Sequence, residues 1–179
     1  MPVIRYKNIR PKVHRSAYVA PGVSLIGDVV IGARSSLWFG VVARGDINEI
    51  RIGQRTNIQD GTIIHVSSTG QGAYIGDSVT VGHMAVVHAC TLEDGSFVGI
   101  KACVMDDAVV QSGAMVAAGA LVTPGKTVPS GELWGGVPAR CIRPLDQEEI
   151  DMIKSIPEHY VELAMNYFRQ TEKDDHSNK

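Results

Sequence analysis

The chain has 179 residues, 44% of them hydrophobic and 20% charged, a composition that fits one compact globular domain and excludes disorder and collagen. Seventeen Lys and Arg against nineteen Asp and Glu leave a formal net charge of -2, so no basic field exists to draw nucleic acid or an anionic membrane, and any partner is expected to be small or another copy of the chain. No apolar run reaches the roughly 18 to 20 residues that span a bilayer, and the opening MPVIRYKNIRPKVH lacks the apolar core of a secretory signal, which predicts a cytoplasmic protein.

From Val19 onward one period fills the chain. Aliphatic residues recur every six positions at Val19, Leu25, Ile31 and Leu37, at Ile52, Ile58 and Ile64, at Ile75, Val81 and Val87, and from Leu92 through Val98, Val104, Val110, Val116 and Val122 to Val128; only Ala43 in this ladder is small. Four places after each stands a small or β-branched residue, as at Val23, Val41, Thr62, Ala85 and Ala102, and the pattern lapses only at Lys126 and Glu132. A six-residue period suits neither a helix nor a half-buried strand, but it suits an all-β solenoid in which each hexad forms one side of a triangular coil of about 18 residues. Residues 11 to 140 then predict roughly seven coils at ~4.8 Å each.

Three departures from the count interrupt the ladder: three extra residues between Ala43 and Ile52, five extra between Ile64 and Ile75, and one missing between Val87 and Leu92. The extra residues are expected to bulge out as loops. With them removed, Arg44, His65 and His88 each follow the inward residue of one side, in three successive coils. Asp60 and His83 each stand two places after the inward residue of the preceding side. Cys90, Cys103 and Cys141 are odd in number without CxxC spacing, which argues against disulfides and a thiolate zinc site.

Past Pro144 the period becomes helical. Asp146 to Glu149 has the spacing of a capping box, and Ile150, Ile153, Val161, Ala164, Met165 and Phe168 form an apolar stripe. The expectation is a short helix followed by a longer one, with Pro157 in the first turn of the second. The boundaries read 1–144 for the solenoid, 145–171 for a helical segment packed on it, and 172–179 for a flexible polar tail.

His65 and His88 should reach a single ion from adjacent strands, whereas His83 occupies another side. A tetrahedral zinc site takes three protein ligands and leaves a fourth position open to water. Packing prisms about a three-fold axis would bring His83 of one chain to His65 and His88 of the next, which predicts a homotrimer with shared metal sites. His14, His159 and His176 read as ordinary polar residues.

The ladder resembles the hexapeptide-repeat proteins, which implies a left-handed parallel β-helix with C-terminal α-helices; the handedness comes from the resemblance alone, since parallel crossovers are otherwise right-handed. The run Arg44-Gly45-Asp46, the segment Asn57-Ile58-Gln59-Asp60-Gly61, and His65, Val81-Gly82-His83 and His88 resemble the gamma-class carbonic anhydrases, in particular shorter bacterial homologues, over about residues 10 to 170. The resemblance implies zinc on His65, His83 and His88, with iron or cobalt as other metals that suit imidazole. It implies that Gln59 orients the metal-bound water or the substrate, that Arg44 and Asp60 pair across subunits with Asp46 in the same network, that Asn57 lines the site, and that the C-terminal helix brings Tyr160 to it. The reaction it implies is reversible hydration of CO₂ to bicarbonate by a metal-bound hydroxide, zinc lowering the pKa of its water from about 15.7 to about 7.

Two features predict slow turnover. Ile47 follows Asp46 where the archetypal enzymes carry a glutamate, and the loop Ser67 to Ala73, expected to be mobile, has no carboxylate to carry protons away. Two other readings stay open. The segment Trp134-Gly135-Gly136-Val137-Pro138-Ala139-Arg140 is similar to the end of the coil in hexapeptide acyltransferases, which allows acyl transfer or thioester hydrolysis, and the scaffold could also serve as a non-catalytic metal- or ligand-binding trimer.

Overall fold

Each hexad lays a short stretch of strand along one flat side and then turns, so its inward aliphatic residue stacks on its equivalents in the coils above and below. In the protein's structure, a computed structural model that describes residues 3–177 with side chains to residue 170, this produces a parallel β-solenoid of about seven coils. The first face carries Tyr18–Val19, Ser36–Leu37, Asn57–Ile58, Thr80–Val81, Phe97–Val98, Met115–Val116 and Glu132–Gly136. The second carries the start of Val42–Ile52, then Ile63–His65, Val86–His88, Cys103–Val104 and Leu121–Val122. The third carries the end of Val42–Ile52, then Ala73–Ile75, Thr91–Leu92, Val109–Val110 and Thr127–Val128. Ile58, Val81, Ile64, Val87, Val104 and Val110 are fully buried on the axis. The small corner positions also bond: Ser35 Oγ donates to the Gly53 carbonyl (2.6 Å), Thr56 Oγ1 to that of Gly76 (2.6 Å) and Thr62 Oγ1 to that of Gly82 (3.0 Å), each one coil on. Glu132–Gly136 pairs antiparallel with Ala139–Pro144 where the solenoid ends.

The three extra residues after Ala43 do not form the expected loop. Val42–Ile52 is one continuous strand that turns the corner from the second face to the third beside Ser24–Ile31, and a register shift between Gly27 and Val29 absorbs the surplus as a bulge. The corner is possible because two glycines meet there: Gly27 has φ +72°, and a Cβ on it would overlap the Gly45 carbonyl. The five extra residues after Ile64 do leave the solenoid as a loop. That loop is tied by Asn48, whose Nδ2 donates to the carbonyls of Ser67 (3.2 Å) and Gly70 (3.1 Å), and by Gln71 Nε2, which donates to the Ala89 carbonyl (3.2 Å).

Beyond the solenoid there is one helix, α1 (Gln147–Ser177), in place of the two expected. Its capping box is formed as read: Glu149 N donates to Asp146 Oδ1 (2.9 Å) and Asp146 N to Glu149 Oε2 (3.1 Å). Pro157 sits inside α1, where it removes one backbone bond at a cost of about 3 kcal/mol. Ile153, Val161 and Ala164 are buried, and each large aliphatic side chain so placed contributes about 1.5–3 kcal/mol, which offsets the proline. The helix also continues through the stretch expected to be tail as far as Ser177; Asn178 and Lys179 lie outside the described residues. α1 packs on the first face, against Tyr18–Val19, Ser36–Leu37 and Thr80–Val81. Among the described residues no helix is long and apolar enough to cross a membrane, and all three cysteines are free thiols.

Candidate metal centre

The ladder register places Arg44 opposite His65 and His65 opposite His88 on neighbouring strands of the second face. Side chains at one register position on parallel strands stand side by side. His65 Nδ1 accordingly lies 3.1 Å from His88 Nε2. The other nitrogen of each ring meets a carboxylate: His65 Nε2–H donates to Asp46 Oδ1 (3.2 Å), and His88 Nδ1–H donates to Asp106 Oδ1 (2.7 Å).

These carboxylates assign the tautomers, because an ionised carboxylate only accepts. Neutral rings then point two lone pairs at each other across the 3.1 Å gap. Such a pair repels unless a positive charge lies between. Two nitrogens on one tetrahedral zinc at about 2.0–2.1 Å would stand about 3.3 Å apart, so the donor pair fits that ion to within a few tenths of an ångström.

The electrostatics keep His65 neutral. Burial pushes its pKa down and outweighs the opposing bond from Asp46. At Asp46 burial acts upward, but the hydrogen bonds from Arg44 and His65 together hold the carboxyl below its usual range; Arg44 Nη1 is 2.6 Å from Asp46 Oδ2.

His83 belongs to the first face, one coil beyond Asp60, and its Nδ1 lies 2.8 Å from Asp60 Oδ2. The two are half-exposed and share a column with Phe39 and Ile100, because backbone bonds run from Gly61 to Phe39, Met84 to Asp60, Lys101 to His83 and Gly119 to Ile100. Met84, Ile100 and Phe39 expose 59%, 49% and 39% of their surface, so this carboxylate–histidine column is bordered by uncovered apolar side chains. Within one chain, Arg44 therefore pairs with Asp46, and Asp60 with His83. Among the described residues of a single chain no cluster of three metal-binding side chains forms; two histidines face one way and the third another.

Gln59 is buried beside this column. Its Nε2 donates to Asn57 Oδ1 (3.0 Å), and Asn57 Nδ2 donates to Thr80 Oγ1 (2.9 Å), a chain that fixes the amide and leaves Gln59 Oε1 without a donor among the described residues. Tyr160 is brought to the same face by α1, its ring 5.5 Å from that of Trp38; burial and then the Asp60 charge push its hydroxyl pKa up. His14 bonds Ser16 at the surface (2.9 Å) and His159 packs edge-on against Tyr160, both away from the histidine pair; the side chain of His176 lies outside the described residues.

Sequence reasoning missed Asp106 and Asn48. Asp106 could have been found by the count that found His83, since it stands two places after inward Val104 in the coil beyond His88. The loop without a carboxylate also has one nearby: a Cβ on Gly70 would lie 3.6 Å from Asp107 Oδ1, which comes from two coils further on.

A parallel solenoid of six-residue repeats, with carboxylate-anchored histidines divided between two faces, defines a hexapeptide-repeat protein. No family model matches the chain. It is 41% identical over 162 residues to a carbonic anhydrase of Geobacillus kaustophilus, covering 90% of this chain and 88% of that one. It is 48% identical over 168 residues to the mitochondrial gamma carbonic anhydrase 2 of Arabidopsis thaliana, covering 91% of this chain; the chain spans about 60% of that plant relative's length. A crystal structure of a hexapeptide transferase family protein from Anaplasma phagocytophilum superposes with a TM-score of 0.90 at 43% identity, covering 93% and 98% of the two chains. The chain belongs to the gamma-class carbonic anhydrase family.

Proposed function

We propose that the chain forms a homotrimer in which His65 and His88 of one copy and His83 of its neighbour hold a metal ion, and that this site hydrates CO₂ reversibly to bicarbonate. The observation that carries the reading is the pair of ring nitrogens, His65 Nδ1 and His88 Nε2, 3.1 Å apart, with the other nitrogen of each ring on a carboxylate. Zinc is the metal favoured, with iron or cobalt as alternatives for the same donors. When bound, such an ion supplies a water that loses its proton near neutral pH.

The chain's own residues do the rest. Asp46 keeps the proton on His65 Nε2, and Arg44 keeps Asp46 ionised. Asn57 holds Gln59 so that Oε1 accepts a hydrogen bond from the attacking oxygen and aims it at the carbon of CO₂. Tyr160 and Trp38 wall the first face. Arg44, half-exposed, is available to Asp60 of the neighbouring copy. Ile47 in place of a carboxylate, and a loop whose side chains carry none, make proton export slow.

Mixing His65→Ala with His83→Ala chains tests the shared site. Each variant alone should bind no stoichiometric zinc, while random mixed trimers should regain roughly a quarter of the sites; no recovery would overturn the arrangement. Stopped-flow CO₂ hydration with zinc, cobalt and iron loaded separately reads the activity and ranks the metals. A second reading, acyl transfer or thioester hydrolysis, is favoured by the name of the Anaplasma relative. A coenzyme A thioester assay on the same samples separates the two. The cytoplasmic location also belongs to this proposal, since the plant relative is named as mitochondrial; cell fractionation checks it.

A further inference from the structure

We infer that Asp106 is a positioning residue for His88, deciding which ring nitrogen is free to bind a cation. Cys103–Val104 lies one coil beyond Val86–His88, with Val104 opposite Val87. The turn that follows carries Asp106 to the edge of His88, 2.7 Å from Nδ1. Its backbone is tied on both sides: the Asp106 carbonyl accepts from Gly125 N (2.9 Å) in the coil above, and Asp107 N donates to the Ala89 carbonyl (2.8 Å) in the coil below. The carboxylate is thus delivered from a fixed frame.

An imidazole without such an acceptor divides its proton between Nδ1 and Nε2 and can turn about its own axis. Asp106 removes both freedoms, leaving the lone pair of Nε2 aimed at the gap shared with His65. A pattern supports this assignment: each of the three histidines has its own carboxylate, Asp46 on His65, Asp60 on His83 and Asp106 on His88. Carboxylates behind ligating histidines raise ligand basicity and orient the ring, and their loss weakens metal binding by about 10–100-fold.

This inference rests on the proposed metal reading, and the experiment keeps the two apart. Zinc affinity is measured by competition with a chromophoric chelator for full-length wild type, Asp106→Ala, Asp106→Asn, Asp107→Ala and His88→Ala. The tautomer of His88 in the metal-free protein is read by long-range ¹H–¹⁵N NMR. Asp106→Ala should weaken zinc binding toward about a hundredfold and convert His88 from Nδ1–H to a mixture. Asp106→Asn, which still accepts from Nδ1–H, should keep the tautomer and weaken zinc binding by only about tenfold; it also keeps the test open should the alanine variant not fold. Asp107→Ala should match wild type. Zinc affinity within twofold of wild type in both Asp106 variants, or a His88 that stays Nδ1–H without Asp106, overturns the inference. If His88→Ala itself kept wild-type zinc affinity, the metal reading would fall instead.

Discussion

At His65 burial and the Asp46 carboxylate oppose one another, and burial prevails, so the folded pKa lies below the ordinary histidine value. The unfolded chain, with a histidine near pKa 6.5, therefore takes up the proton first as pH falls. Protons bound preferentially by the unfolded state make stability rise with pH. The metal-free protein should hold this contribution above about pH 6.5 and lose it as pH falls through the lower folded pKa. Urea midpoints at pH 7.5 and 5.5 check it, and His65→Gln should shrink the difference. Asp46 adds a second loss at lower pH: its folded pKa is depressed, so its contribution is present above the usual carboxylate range and disappears as the acid form takes over. Metal binding follows the same direction, because three neutral imidazoles are needed and zinc affinity should drop steeply below roughly pH 6. Gln59→Ala makes a different prediction. The amide touches no histidine, so the variant should keep its metal while hydration slows by up to about a hundredfold, the scale of a lost orienting contact. His14→Ala should change neither.

Between residues and the whole lie the corners, where the ladder was legible only in part. The columns came straight from the count: Arg44, His65 and His88 are in register, and Asp60 stacks on His83, because one inward aliphatic per hexad leaves a strand no other phase. A count of surplus residues could not say whether they leave the solenoid. After Ile64 they do; after Ala43 they stay in a strand, since Gly27 and Gly45 allow two backbones to meet at a corner. Nor could an N-terminal preference of proline reveal that burial on both sides of Pro157 would carry one helix through it. Asp106 gives a weaker signal, because it stands one coil beyond the last histidine of the ladder. The cost of filling the corner is measurable. Gly125→Ala meets open space and bears only the left-handed backbone cost, about 1–2 kcal/mol, whereas Gly27→Ala adds a clash with backbone that cannot move aside. Thermal midpoints should therefore fall clearly further for Gly27→Ala; equal falls would mean that the corner relaxes.

For the whole molecule the decisive feature is that chemistry and exposed apolar surface coincide. Phe39 and Ile100 bracket Asp60 and His83 in one column, and a second copy laid over that column would cover them while bringing its own His65 and His88 within reach. The proposed trimer should show a light-scattering mass about three times the 19.2 kDa of the chain. Ile100→Glu tests whether this column is the contact. On a single chain Ile100 is already half-exposed, so a carboxylate there should leave the solenoid intact; buried against a neighbour without a partner, it would cost at least a few kcal/mol at every interface. The variant should sediment as monomer with an unchanged β-sheet circular dichroism spectrum. It should also lose stoichiometric zinc although His65, His83 and His88 are all present, because no single chain can bring the three together. An Ile100→Glu protein that remained trimeric with full zinc would put the neighbour's His65 and His88 against a different part of the first face. A monomeric variant that kept full zinc would mean that the metal is held within one chain.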